Sequence, residues 1–172
     1  MKFPLYLTII LSLAISFSAA TQQNPAIPLH PVYPADDNGT AEAEHAARQV
    51  VDEFFVAWNN ADNPAIHKAI NFPHVFLVNN GRMAIANGPD ELITDFDRMR
   101  KDSDWHSSSL DSIEITRSSP DKVHFEIVFS RRHKDGTAYR TVPALWIVTK
   151  QDGHWGIQIR SIMSNIDLAP KV

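Results

Sequence analysis

The sequence contains no cysteine. That excludes disulfides, a thiolate nucleophile, a cysteine-ligated metal and lipid attachment through sulfur. Any folded domain must therefore rest on its apolar core, which a chain of 172 residues can supply. Neither sign of charge dominates: 16 Lys and Arg stand against 20 Asp and Glu, a net −4. With no basic patch, nucleic acid is not an expected partner. Repeats and low-complexity blocks are also missing. No H-E-x-x-H occurs and no two histidines lie at i, i+4, so no metal site is expected, and no cofactor either.

Long apolar runs are scarce as well. Leu5–Phe17 is one, and it falls short of the roughly 20 residues a bilayer span needs. Lys2 precedes it and Ser18-Ala19-Ala20 follow, the order of a basic start, an apolar stretch and a small-residue cleavage site. Residues 1–20 are thus expected to be a signal peptide cut after Ala20, with an uncleaved anchor as the alternative. The mature chain would then be periplasmic or secreted and free of the membrane. Losing Lys2 takes the formal charge from −4 to −5. Residues 21–39 carry four prolines and two aspartates and read as an extended linker ahead of one domain, 40–168.

What remains is strongly patterned. Ala43, Ala47, Val50, Val51, Phe54, Ala57 and Trp58 recur at helical spacing, so a helix of about five turns is expected from a Thr40 cap to Asn59-Asn60. Asp62-Asn63-Pro64 opens a short second helix, capping side chain then proline, which Pro73 stops. His74–Val78 and Arg82–Ile85 read as a small hairpin around Asn79-Asn80-Gly81. A third helix is expected from Asn87-Gly88-Pro89 to about Lys101, acidic in its first turn and basic in its last. Strands follow at Trp105–Arg117, Val123–Arg132, Tyr139–Lys150 and Trp155–Met163. Asp135-Gly136 and Asp152-Gly153 mark the last two turns, because such turns need a positive φ that glycine adopts freely.

The expected class is α+β, in the order α-α-β-β-α-β-β-β-β, with a bent antiparallel sheet wrapped around the helices as an open cone. Three stretches resemble the nuclear transport factor 2 superfamily, also called the SnoaL-like or ketosteroid-isomerase-like fold. They are Val50–Asp62, Phe72-Pro73-His74-Val75 and Asp152–Ser161, within about residues 41–165. The resemblance implies an apolar pocket at the cone's mouth and homodimers formed through the sheet; fold alone does not fix function. It also implies where ketosteroid isomerase keeps its tyrosine and its base, namely Phe54 and the span Leu77–Asn80. Neither can donate or accept a proton as that enzyme requires.

Independently, a curved sheet capped by helices should leave a concave apolar cavity. Trp58, Phe76, Tyr139 and Trp146 are the aromatics expected near it. His74 and His106 begin strands beside bulky apolar residues and could face the mouth, where titration near neutrality suits a proton shuttle; a histidine satisfied by a local hydrogen bond is the plainer alternative. Arg131 continues the buried alternation Val123-Phe125-Ile127-Phe129, so it ends at the rim or meets an anion. Arg160 falls opposite the core by strict alternation, at a possible dimer face, unless a β-bulge turns it inward. Two arginines in one cavity would favour a carboxylate ligand. Asp111 and Glu114, the nearest carboxylates by position, are expected on the solvent side.

Three readings follow. One is an exported, non-catalytic domain binding a small apolar or carboxylate-bearing molecule. Another is an isomerase, dehydratase or hydrolase with His74 or His106 as proton carrier. The last is an interaction protein whose cone is filled by its own side chains.

Overall fold

The computed structural model describes residues 40–164. The expected signal peptide, the linker and the end of the expected domain lie outside the described residues. In chain order the elements are α1 (Thr40–Asn59), α2 (Asn63–Lys68), β1 (Ile70–Leu77), β2 (Met83–Ala86), α3 (Phe96–Ser103), β3 (Ser107–Ser119), β4 (Lys122–Arg132), β5 (Ala138–Gln151) and β6 (His154–Ile162). This is the expected α+β order. One six-stranded sheet runs β2-β1-β6-β5-β4-β3. Every neighbouring pair is antiparallel except β1 with β6, which is parallel and joins the small hairpin to the long carboxyl-terminal ribbon.

The apolar stripe of α1 is buried from Ala43 to Ala57 as its spacing requires, with Phe55 buried beside it and Trp58 half-buried at its end. This helix packs against β3, β4, β5 and β6, so the sheet curls around it. It ends in a paired motif: the Ala61 N–H donates to the Trp58 carbonyl and the Asp62 N–H to that of Ala57, with Ala61 at φ 56°. Asp62 caps α2 through the Ala65 N–H. Asp152 and Gly153 both have positive φ, 51° and 87°, as a two-residue hairpin turn demands.

Three boundaries differ from expectation. The first strand starts at Ile70 rather than His74, with Pro73 inside it. The β1–β6 register shifts between Ile70 and Val75, and a proline without an N–H is tolerated where the ladder is interrupted. The third helix is broken. A single turn at Pro89–Glu91 gives way to extended chain before α3. There the Asn63 side chain occupies both the Thr94 N–H (2.9 Å) and its carbonyl (3.0 Å), and Asp95 caps Arg98, so helix restarts only at Phe96. Trp105 precedes β3 instead of opening it, buried with its indole N–H on Ser108 Oγ at 3.1 Å.

One glycine is required for space. A Cβ on Gly156 would stand 2.7 Å from both the Asn71 nitrogen and its Oδ1, and Asn71 is itself fixed by donating to the Thr149 carbonyl at 2.8 Å. Gly156→Ala is expected to cost about 1–3 kcal/mol, the usual penalty of overpacking. Thermal denaturation checks this; an unchanged midpoint would show that Asn71 yields freely.

Candidate functional site

The inner wall of the cone is built by alternation. Val123, Phe125, Ile127 and Phe129 of β4 and Val142, Ala144, Trp146 and Val148 of β5 are all buried. Arg131 continues the β4 series inward, as expected, and is half-buried.

On β6 the alternation breaks. Val148 pairs with Ile157 but Ile147 pairs with Ile159, so Gln158 is an extra residue, a β-bulge. The bulge reverses the phase, and Ile157, Arg160 and Ile162 are all buried. Arg160 therefore faces the cavity and not the outer surface. It is only 5% exposed.

Arg160 sits in an aromatic cage. Its guanidinium carbon lies 4.0 Å from the ring centre of Phe76, 4.9 Å from Phe54 and 5.6 Å from Trp146. Its Nε–H donates to His74 Nε2 at 3.1 Å. The other ring nitrogen of His74, Nδ1, donates to the Ile157 carbonyl at 3.0 Å. That fixes the tautomer: an Nδ1–H imidazole with Nε2 as acceptor. Burial first, then the Arg160 charge, drives the His74 pKa from 6.5 to about 3, so the ring is neutral. For Arg160, burial followed by repulsion from Arg131 lowers the pKa to about 9, and it stays charged at neutral pH.

Arg131 is the second cation. Its guanidinium lies 5.5 Å from the Trp58 ring centre, and Trp58 stacks on Phe54 at 5.6 Å. Burial pushes its pKa down, Tyr139 pulls the other way, and Arg140 adds to the lowering. Its Nη1 meets the Met99 sulfur. Among the described residues no carboxylate pairs with Arg131 or Arg160, and Arg131 Nε, the Tyr139 hydroxyl and Trp146 Nε1 are buried polar atoms without a hydrogen-bond partner. The inner wall thus presents positive charge that no described carboxylate balances.

Phe54, Trp58, Phe76, Arg131, Trp146 and Arg160 line one open cavity of about 1590 Å³. The described side chains therefore leave the cone open. Among the described residues, carboxylates line it only on the 90–102 wall, where Asp97 pairs with Arg100 (3.0 Å) and Asp102 with Arg98 (3.1 Å).

Three expected site residues lie elsewhere. His74 is fully buried behind Arg160 rather than at the mouth, because its turn on β1 points it at the β6 backbone. His106 is exposed and outside the lining, its backbone N–H paired with the Arg132 carbonyl where the strand ladder begins. Tyr139 stacks on His133 at 4.7 Å and does not line the cavity. Asp111 is on the outer face, bound to Ser109, Ser130 and Arg132, and Glu114 is exposed. Among the described residues no group of three or more His, Asp or Glu could hold a metal, and no helix is long and apolar enough to cross a membrane. The supporting role of His74 escaped sequence reasoning, since it depends on the parallel β1–β6 pairing of residues 86 positions apart.

Residues 42–165 match the family described as NTF2-like protein (DUF6841). The chain belongs to this NTF2-like family. Comparison with curated proteins finds no match. Among solved structures, this NTF2-like chain is similar to a cystatin-like-fold protein of unknown function from Nostoc punctiforme, at 17% identity and TM-score 0.59, covering 75% of this chain and 96% of that one. An NTF-2-like protein of unknown function from Shewanella oneidensis aligns at 19% identity and TM-score 0.53, covering 71% and 99%. A protein from Catenulispora acidiphila, solved in complex with S-DNPA, aligns at 13% identity and TM-score 0.56, covering 72% and 93%. At these identities the likeness shows a shared NTF2-like fold.

Proposed function

We propose that this chain is an exported domain that binds a small apolar molecule bearing a carboxylate in the cone cavity, without turning it over. The observation that carries the reading is Arg160: a buried guanidinium in the cavity wall whose hydrogen-bond partner is a neutral histidine and which no described carboxylate neutralises. A buried charge is costly unless something compensates it, and a planar carboxylate fits the guanidinium fork. The Catenulispora acidiphila protein solved in complex with S-DNPA lends support by fold analogy alone. The acid–base alternative loses its carriers, since His74 is held neutral away from the cavity and His106 stands outside it.

The test is a thermal-shift screen pairing small apolar carboxylic acids with their primary amides. The acids should raise the melting temperature and the amides should not. Equal shifts for both, or none for any acid, would defeat the reading.

Export rests on residues 1–20, and a mature amino terminus at Thr21 in the secreted or envelope fraction is the expected finding. A homodimer through the sheet is supported by half-buried Val128, Leu145, Ile147 and Ile159 on its outer face. Native mass spectrometry at twice the mature mass checks that part.

A further inference from the structure

Building on that reading, we infer that the ligand is a short dicarboxylate with an apolar body, one carboxylate meeting Arg160 and the other the pair Arg131 and Arg140. The β4–β5 register sets Arg131 directly opposite Arg140, and both line the same cavity as Arg160. Like charges facing each other across an antiparallel pair repel. Among the described residues no carboxylate forms an ion pair with any of the three. Their mutual repulsion has an effect: beyond burial, the Arg140 charge lowers the Arg131 pKa, and the Arg131 charge lowers that of Arg160.

The three arginines differ in depth. Arg160 is buried, Arg131 half-buried and Arg140 exposed, so positive charge continues from the bottom of the cavity to its rim. Arg160 lies 4.9 Å from the Phe54 ring centre and Arg131 5.5 Å from that of Trp58, and these two rings stack at 5.6 Å. The two guanidiniums thus stand at neighbouring rings of one aromatic wall. One carboxylate on Arg160 leaves the cross-strand pair unbalanced, whereas an apolar body lying along the stack carries a second carboxylate to it. The cavity's own carboxylates do not fill that place. Asp95 is engaged with the Arg98 N–H, Glu91 with Asn87, Asp97 with Arg100 and Asp102 with Arg98.

The experiment is calorimetric titration of the protein with adipate, suberate and terephthalate, each beside its half-amide, which keeps one carboxylate. The best-fitting diacid should bind roughly tenfold tighter than its half-amide, the effect of one further charge-assisted contact in a partly wet site. Arg140→Gln, exposed and so tolerated by the fold, and Arg131→Gln should each cut that ratio to about threefold or less, with melting temperatures reporting that the fold is kept. Suppose instead that half-amides bind, that Arg160→Met abolishes their binding, and that no diacid gains over its half-amide. Then the arginines share one carboxylate: the second charge is refuted while the carboxylate reading stands. If neither diacids nor half-amides bind, both fall. A diacid advantage undiminished in Arg140→Gln and Arg131→Gln would overturn the place given to the second group.

Discussion

Arg160→Met should abolish carboxylate binding while leaving the domain folded. Losing a charge-assisted contact in a desolvated site costs about 2–5 kcal/mol, so the dissociation constant should rise at least roughly thirtyfold. The fold is expected to tolerate the change because the opposing contributions nearly cancel. Holding Arg160 with a pKa lowered to about 9 corresponds to about 5 kcal/mol of unfavourable charge burial. Against it stand three ring contacts, each about 1–2 kcal/mol when desolvated, and one hydrogen bond to His74 of about 1 kcal/mol. Denaturant melts should therefore move by less than about 2 kcal/mol. Unfolding of the variant would make the cage a structural device; unchanged binding would remove Arg160 from the site. Arg160→Lys, which keeps the charge but loses the planar fork, should fall between the two.

The second expectation concerns acid. His74 has a folded-state pKa of about 3 against an ordinary 6.5, so on acidification the unfolded chain takes up this proton first. Stability from this group is complete above pH 6.5 and is lost progressively as the pH falls toward 3. The loss should reach about 2 kcal/mol near pH 5 and about 4–5 kcal/mol at the lower limit. Asp111 and Asp135, whose pKa values are lowered from 3.8, lose their contributions only as the pH falls below about 3.8, at the bottom of that window and below it. His74→Gln can accept from Arg160 and donate to the Ile157 carbonyl without titrating, so its melting temperature should be flatter between pH 7 and 5. Parallel pH profiles of the two proteins would count against the assignment. The same substitution should preserve carboxylate affinity at neutral pH, since His74 only positions Arg160.

These expectations depend on features of unequal legibility. The α1 stripe from Ala43 to Ala57 and the inward series Val123 to Arg131 were visible because burial follows the 3.6- and 2-residue periods of helix and strand. The Asp152-Gly153 hairpin was visible because few residues adopt its backbone angles. By contrast, nothing in the periodicity of residues 87–101 revealed that Asn63, some thirty positions earlier, would bind Thr94 and break the helix. Tyr139 followed the right strand and still missed the cavity, because it turns toward His133 near the end of the ribbon.

By itself the sequence determined the α+β order, the sheet's buried face and the inward course of Arg131, since each rests on local periodicity. Tertiary structure alone decided which way Arg160 points. One extra residue at Gln158 turns its side chain from the outer surface to the core, and a bulge arises from how β6 registers against β5, not from the composition of either strand. Tertiary structure likewise converted His74 from a candidate proton carrier into a neutral support, because the parallel seam between β1 and β6 brings it against a buried arginine and away from water.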